Sequence, residues 1–171
     1  MSSTTRNSAF RDGVIAGLPF LIIGVPFAML FGIVATEAGL NVVQTVSMSI
    51  LVIAGAAQFT AIQLMTDNAP VWAVLAAALA VNLRMALYSA SLQPHLGGAP
   101  LWQRLVIAYL NVDVSYALGM LEYEERPARP LPEKVAFFCG TMVLMAPLWV
   151  LGTLVGALAA EALPNLSLIH I

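Results

Sequence analysis

Residues 71–94, VWAVLAAALAVNLRMALYSASLQP, decide the kind of fold that this chain adopts. The first half is a continuous apolar run without the polar positions that a water-soluble helix repeats every 3.6 residues. The second half adds Arg84 and several hydroxyl and amide side chains without ending the apolar pattern. Because a helix that is apolar all round belongs in lipid, this stretch predicts a transmembrane helix with an arginine inside it.

The composition extends this interpretation to the whole chain. It is 60% hydrophobic and 9% charged, whereas a soluble domain has about 25% charged residues. A membrane helix needs about 20 apolar residues, and we therefore predict an all-α integral membrane protein with about five transmembrane helices. The expected spans are residues 13–36, 42–66, 69–92, 101–121 and 135–160. They form one transmembrane domain over residues 13–163, between an N-terminal segment (1–12) and a short tail (164–171).

The basic residues predict the orientation of these spans. Two arginines precede the first span, and two arginines and a lysine lie in the connection 122–134. With five spans both groups fall on the same side, and the side richer in Lys and Arg is cytoplasmic. We expect a cytoplasmic N-terminus and a solvated cytoplasmic loop at 122–134.

Several function classes have no support in the sequence. No basic run suggests a nucleic-acid partner, and Cys139 is the only cysteine. No phosphate-binding loop, zinc-protease motif, hydrolase nucleophile motif or dinucleotide motif is present. The expectation is a protein that is not an enzyme and that holds neither a metal nor a cofactor.

Arg84 and Asp113 are the first candidate functional residues. If residues 94–100 form a turn, the two lie at depths that differ by about 4.5 Å along their helices, which a long arginine side chain can bridge. Charges inside a membrane span are costly and usually face the protein interior. Two interpretations stay open: a buried ion pair that joins two helices, or a charge pair beside a substrate path.

The first span carries a different signal. Two Gly-x-Pro-Phe segments, one of them including Gly24 and Pro26, follow each other at an interval of seven residues. Each proline removes a backbone donor, and helices interrupted by Gly and Pro often mark binding sites of transporters. We expect either a broken first helix that supplies free carbonyl groups or a kinked helix that serves packing alone.

Further polar residues lie within the expected spans. Gln58 in the second span needs an interior partner, either another helix or a substrate. The pairs Asn82-x-Arg84 and Asn111-x-Asp113 align between the third and fourth spans, a weak sign of an inverted repeat. In the fifth span, Pro147 predicts a kink.

Taken together, these motifs resemble the AzlC family, the YgaZ-like large subunits of bacterial branched-chain amino acid exporters. The resemblance covers residues 10–160 and rests on Gly24-x-Pro26-Phe27, Phe31-Gly32, Ala54-Gly55-Ala56-Ala57-Gln58-Phe59, Asn82-Leu83-Arg84, Leu87-Tyr88, Ser91-Leu92, Pro94 and Asp113. It implies amino-acid efflux across the inner membrane, together with a small membrane subunit of the AzlD type. Met85 and Val114 replace a histidine and a glutamate that are frequent in the family, so a proton-carrying role is not expected at either position.

The residues and the resemblance agree on the kind of substrate. The carboxylate of an apolar amino acid suits a guanidinium or a helix N-terminus, and its ammonium group suits a carboxylate or free carbonyl groups. We therefore predict a secondary transporter subunit with a zwitterion site near the bilayer midplane. The candidate substrate-binding residues are Arg84, Asp113, Asn82, Gln58, Asn111, Tyr88, Pro26 and Gly24. The alternatives are a structural or assembly subunit of a transporter complex and a channel for small solutes or ions.

Overall fold

The structure, a computed structural model, describes residues 3–162, which form eight α-helices and no strand. The helices are α1 (Ser3–Glu37), α2 (Val42–Leu51), α3 (Gly55–Thr66), α4 (Val71–Leu96), α5 (Leu101–Tyr109), α6 (Asp113–Glu125), α7 (Leu131–Met142) and α8 (Met145–Ala162). The prediction of an all-α protein is confirmed. The predicted tail, residues 164–171, lies outside the described residues.

Within residues 3–162, three stretches of helix are long and apolar enough to cross a membrane. They are Thr5–Glu37, Val71–Leu96 and Leu131–Ala162, and they correspond to the first, third and fifth expected spans. In α4, the side chains of Leu75, Leu79, Leu83 and Leu87 recur every fourth residue and are 58–69% exposed. Residues at this spacing share one face of a helix, so α4 carries a continuous apolar stripe suited to lipid.

The prolines of α1 do not interrupt it. The helix is continuous from Ser3 to Glu37, through Pro19 and Pro26, so the prediction of a Gly/Pro-broken first helix is wrong. A proline removes one backbone hydrogen bond from a helix. Membrane helices tolerate this loss, because neighbouring groups and small local adjustments satisfy the freed carbonyl.

Instead, the interruptions fall in the second and fourth expected spans. Residues 52–54 separate α2 from α3, and residues 110–112 separate α5 from α6. The last residue before α6, Val112, is extended, as is Val52 directly after α2. Each of these two predicted spans is therefore divided into two short helices, and each interruption brings two helix ends into an apolar stretch of chain.

A third, smaller interruption separates α7 from α8 at residues 143–144. Pro147 lies four residues beyond Val143 and has no N–H group to donate to the carbonyl of that residue. This interruption lies about one turn before Pro147, in the region where the kink was predicted.

The described helices pack into two units. The first unit contains the chain up to Ile22 together with Leu83–Pro147, and the second contains Ile23–Asn82 together with the chain from Leu148 onwards. The core of the first unit is built from Leu92, Leu96, Ala99, Ile107, Tyr123, Val135 and Phe138. The core of the second unit centres on Phe31, Ala35 and Ile62.

Glycines hold helices close together in both units. In the first unit, a Cβ added to Gly17 of α1 would lie 2.7 Å from the carbonyl oxygen of Thr141 in α7. In the second unit, a Cβ on Gly156 of α8 would lie 2.8 Å from the carbonyl carbon of Met29 in α1. Close approach of this kind is how membrane helices gain packing energy without a hydrophobic driving force.

The order of helices repeats along the chain. α1–α3 and α4–α6 each consist of one long helix followed by two short helices separated by three residues. This order agrees with an internal repeat, while the inverted relation suggested by the sequence stays a prediction.

Candidate functional site

In the first unit, Arg84 and Asp113 form the predicted ion pair. Nη1 of Arg84 lies 3.1 Å from Oδ2 of Asp113, and the two side chains are 34% and 52% exposed. Asp113 is the first residue of α6, where the positive end of the helix dipole favours a carboxylate. The interruption before α6 thus places a negative charge opposite the arginine of α4, and the pair is open enough for another group to reach it.

Tyr88 provides a second hydrogen-bond donor to the carboxylate of Asp113. Its hydroxyl group donates a hydrogen bond of 3.0 Å to Oδ1 of Asp113, so that each oxygen of the carboxylate has its own donor. Tyr88 lies one turn after Arg84, which puts both donors on the same face of α4. The ring of Tyr88 stacks on that of Tyr116, with 4.1 Å between the centroids and 7° between the planes.

Asn111 lies in the interruption itself and ties it to α4. Its Nδ2 group donates a hydrogen bond of 3.1 Å to Oγ of Ser89, and its side chain is almost fully buried. Its Oδ1 atom and Nε of Arg84 are buried and have no partner among the described residues. The pair therefore has one free acceptor and one free donor beside it.

Ser115 fixes the shape of this interruption. Its buried hydroxyl group accepts a hydrogen bond of 2.9 Å from the N–H of Val112 and donates one of 2.8 Å to the carbonyl of Leu110. The sequence analysis did not select Ser115 or Tyr116. Ser115 could have been found from its position as the third residue of a helix, from which a side chain can accept a hydrogen bond from the N–H of the residue that precedes the helix, as in a capping box.

A cavity of about 260 Å³ adjoins the same cluster. Ser89 and Asn111 form part of its wall, together with Gln93 and Arg104. The apolar part of the wall consists of Leu92, Leu96, Leu101, Leu105, Ile107 and Ala108. A space of this kind, mostly apolar with a few polar groups, is typical of a small-molecule site.

The other predicted site residues belong to the second unit. Gln58 is fully buried, and its Nε2 group donates a hydrogen bond of 3.0 Å to Oγ of Ser49. Ser49 lies 2.9 Å from Oγ1 of Thr153, which donates to the carbonyl of Trp149. Because a hydroxyl group has one proton, Ser49 must donate to Thr153, and the chain of bonds runs in one direction from α3 through α2 to α8.

Asn82, Gly24 and Pro26 complete the predicted set. Asn82 is the last residue of the α4 segment in the second unit, and its Oδ1 atom is buried without a partner among the described residues. Pro26 is exposed and Gly24 half-buried, both within the unbroken α1. The structure therefore brings Arg84, Tyr88 and Asp113 into direct contact and holds Asn111 against the same helix, α4. It places the other four predicted residues in the second unit.

Residues 122–134 differ from the solvated loop that was expected. Only residues 126–130 lie outside the helices, and the side chains of Arg129 and Glu122 are each 10% exposed. Arg129 pairs with Glu122 through Nη1, with Asp12 of α1 at 3.0 Å and with Glu133 at 3.4 Å. We call these four side chains the charge cluster.

The charge cluster corrects the expected loop for a physical reason. A buried guanidinium is stable only when its charge is paired and its donors are used. Burial by itself lowers the pKa of Arg129, but the hydrogen bonds to Asp12 and Glu133 and the charge of Glu122 raise it above its ordinary value overall. The four side chains thus form an ionic contact between α1, α6 and α7 within the first unit, while residues 124–128 of the same segment are exposed.

These features define the class of the protein. It is an α-helical membrane protein with long apolar helices, two predicted spans that are each divided into two short helices, and an ion pair at one of these interruptions. The chain belongs to the AzlC family: the family described as "AzlC protein" matches residues 19–163.

Individual relatives agree with this assignment. The chain is 26% identical over 163 residues to an "Uncharacterized membrane protein" of Archaeoglobus fulgidus, covering 95% of this chain and 68% of the relative. It is 29% identical to an "Uncharacterized membrane protein" of Helicobacter pylori, covering 90% and 65%. It is 30% identical over 87 residues to "Inner membrane protein YgaZ" of Escherichia coli, covering 51% and 36%. The chain thus spans about two thirds of the length of the first two relatives, and no solved structure matches it significantly.

Proposed function

We propose that this chain is the large subunit of a secondary transporter that exports branched-chain or related apolar amino acids across the bacterial inner membrane. One observation carries the proposal: the Arg84–Asp113 pair is partly open and lies at a helix interruption. Ionisable residues within membrane spans usually mark substrate or ion pathways. Membership in the AzlC family and the likeness to an inner membrane protein support the same class of function.

The chemistry of the pair matches a zwitterion. The carboxylate of an amino acid can replace Asp113 as the partner of Arg84, and its ammonium group can replace Arg84 as the partner of Asp113. The unpartnered Oδ1 of Asn111 offers one further acceptor for the ammonium group. The exchange replaces one ion pair by two and leaves every charge paired, so the cost of bringing the charges of the substrate into the membrane is low.

The adjoining cavity accounts for the apolar side chain. It shares Ser89 and Asn111 with the polar cluster, and its remaining wall is mostly leucine and isoleucine. Burying a leucine or valine side chain there contributes about 1.5–3 kcal/mol. Apart from Gln93 and Arg104, this part of the wall has no polar side chain, which favours apolar amino acids.

Orientation and partners are further parts of the proposal. The distribution of Lys and Arg predicts a cytoplasmic N-terminus. Because the chain spans about two thirds of its first two relatives, we expect the complete transporter to include additional hydrophobic segments. A small membrane subunit of the AzlD type is the expected partner.

The decisive experiment is counterflow of labelled leucine and valine in proteoliposomes, with and without a small AzlD-type subunit. Arg84→Ala and Asp113→Ala are expected to reduce uptake at least tenfold, since each removes one half of the zwitterion site. Arg6→Ala and Glu124→Ala are matched controls, because both side chains are exposed. If both site variants transport like wild type, the zwitterion site is not at this pair.

The same experiment separates the two alternatives. A structural or assembly subunit would co-purify with its partner while its own variants left transport unchanged. A channel would give flux that neither saturates with leucine nor shows competition between amino acids.

A further inference from the structure

A groove of about 330 Å³ lies between α1 and α6 in the first unit. On α6 its wall follows Leu118, Leu121, Glu122 and Glu125, which recur at intervals of three and four residues. Residues at this spacing share one face of a helix, so the groove runs along α6 for about 10 Å. It shares no residue with the cavity that adjoins the proposed transport site and is therefore a separate space.

The side chains at one end of the groove are charged: Asp12, Glu122, Glu125 and Arg126. Nη1 of Arg126 lies 3.7 Å from Oδ2 of Asp12 and 3.3 Å from Oε1 of Glu122, so the charges of both helices meet at this end. All four residues lie just outside the predicted spans 13–36 and 101–121. We therefore expect the charged end where the helices leave the hydrocarbon region of the membrane.

The side chains at the other end of the groove are apolar: Ile15, Ala16, Leu118, Leu121 and Phe137. All five lie within the predicted spans. The wall thus changes along the helix axes, from carboxylates at the expected interface to aliphatic and aromatic groups towards the bilayer core. A phospholipid has the same profile, because its headgroup lies in the interfacial region and its acyl chains lie in the hydrocarbon region.

The charges at the polar end select the kind of headgroup. The wall carries three carboxylates and one guanidinium, and Arg129 neutralises part of this excess through Asp12 and Glu122. Glu125 is exposed and forms no ion pair with any residue among 3–162. An unpaired carboxylate attracts a cationic group and repels an anionic one, so the headgroup should contain a positive charge.

Arg126 can bind the phosphate of such a headgroup. Both of its ion pairs are made through Nη1, and its side chain is 57% exposed. A guanidinium has further N–H groups on Nε and Nη2, and its planar arrangement of donors suits phosphate oxygens. The polar end therefore offers an acceptor for an ammonium group and a donor for a phosphate group, as a zwitterionic lipid requires.

The wall favours a primary over a quaternary ammonium group. A primary ammonium donates three hydrogen bonds, which carboxylates accept. A quaternary ammonium has no N–H group and is usually bound by several aromatic faces. Phe137 supplies the one ring of the described wall, and the guanidinium of Arg129 already lies 6.0 Å from its centroid. A choline headgroup therefore finds no aromatic cage in this groove.

We propose that the groove binds a phospholipid with a primary ammonium headgroup, such as phosphatidylethanolamine. Glu125 accepts hydrogen bonds from the ammonium group, and Arg126 donates hydrogen bonds to the phosphate group. Ile15, Ala16 and Leu118 contact the part of the lipid that enters the hydrocarbon region. The site lies outside the proposed transport site and does not depend on the export function.

The test uses the purified full chain and an equimolar mixture of phosphatidylethanolamine and phosphatidylcholine with identical acyl chains. Native mass spectrometry measures the ratio of the two lipids that remain bound. We expect wild type to retain phosphatidylethanolamine about tenfold over phosphatidylcholine, the usual effect of a hydrogen bond to a charged group. Glu125→Gln should bring the ratio towards one. Glu124→Gln is the matched control, because it removes the same charge from an exposed neighbour outside the groove and should keep the wild-type ratio.

Two further measurements test the apolar end of the groove. Ala16→Leu fills this end without changing a charge, and it should reduce the retention of both lipids. Glycerophosphoethanolamine, which is the headgroup without acyl chains, should not displace phosphatidylethanolamine at equal concentration, because it lacks the apolar contacts. If Glu125→Gln does not fold, as judged by size-exclusion profile and thermal unfolding, Ala16→Leu and the soluble headgroup decide.

Several results would overturn the lipid site. Equal retention of both lipids by wild type would show that the headgroup is not recognised, as would equal ratios for Glu125→Gln and Glu124→Gln. Stronger retention of phosphatidylglycerol than of phosphatidylethanolamine in a second mixture would contradict the selection of a cationic group. Unchanged retention by Ala16→Leu, or complete displacement by glycerophosphoethanolamine, would show that the apolar end does not hold a lipid.

Discussion

Replacing Gly156 by alanine should destabilise the second unit. Gly156 lies on α8 where this helix touches α1, and the added Cβ would lie 2.8 Å from the carbonyl carbon and 2.9 Å from Cα of Met29. Both neighbours are backbone atoms that cannot rotate away. Carbon atoms pack best at about 3.5–4.0 Å, so the two helices would have to move apart by roughly 1 Å.

The magnitude follows from the cost of overpacking. Forcing an extra methyl group into a close-packed contact costs typically about 1–3 kcal/mol, and a contact of two rigid backbones belongs at the upper end. The higher intrinsic helix propensity of alanine compared with glycine offsets about 1 kcal/mol of this cost. We therefore expect a net loss of about 2 kcal/mol, equivalent to a decrease in Tm of roughly 4–8 °C for a chain of this size.

The assay is thermal unfolding of the purified protein in detergent, followed by intrinsic fluorescence. Gly119→Ala is the matched control: this glycine is also within a helix, but its Cβ would meet its nearest neighbour, Cδ2 of Phe138, at an ordinary 3.4 Å. The control should unfold at or above the wild-type temperature, because only the helix preference changes. If Gly156→Ala unfolds at the same temperature as Gly119→Ala, α1 and α8 do not approach each other as closely as described.

Three further predictions concern the first unit. The double variant Arg84→Asp, Asp113→Arg exchanges the two charges. It should restore most of the thermal stability that each single variant loses, but it should not restore leucine counterflow. Recovered transport would contradict the proposal that each charge must stand at its own position. Arg129→Gln removes the cation that pairs with all three carboxylates of the charge cluster, while Arg126 still pairs with Glu122 and Asp12. The change should cost about 3 kcal/mol, measured as a fall in Tm. Arg6→Gln is its control, and equal Tm values would show that the cluster contributes nothing. Ser115→Ala removes the hydroxyl group that hydrogen-bonds the backbone of the interruption before α6. It should cost about 1 kcal/mol of stability and raise KM for leucine. Unchanged kinetics would argue against a role of this interruption in binding.

The long helices and the central ion pair could be predicted from the sequence because their signals are local. α1 and α4 follow from uninterrupted apolar runs, and the interruption before α8 lies in the region where Pro147 predicts a kink. The pairing of Arg84 with Asp113 followed from their depths relative to one short turn, and the measured 3.1 Å confirms it. Whether this pair binds a substrate is a separate question, which the transport experiment addresses.

The interruptions before α3 and before α6 could not be predicted, because neither segment contains the residues that usually mark a break in a helix. Residues 52–54 are Val-Ile-Ala, and residues 110–112 are Leu-Asn-Val, without a proline or a glycine. Ser115 stabilises the second of them by hydrogen bonds that depend on the folded backbone. Pro19 and Pro26, by contrast, gave a strong local signal for a break, but α1 remains a single helix.

The charge cluster was missed for a related reason. The segment from Glu122 to Lys134 is rich in charges and prolines, which is typical of solvated loops. Its burial depends on Asp12, which is more than a hundred residues earlier in the chain. A pattern within one segment carries no information about a partner at that distance.

The separation of Asp12 from Arg129 has a consequence for biosynthesis. The first helix enters the membrane while its carboxylate still lacks the arginine that will neutralise it, because that arginine is translated much later. The same holds for the glycine surfaces of α1, whose partners lie on α7 and α8. Insertion of the early helices must therefore precede their assembly. The contacts of α1 within either unit can form only after α7 and α8, the last described helices, have been synthesised.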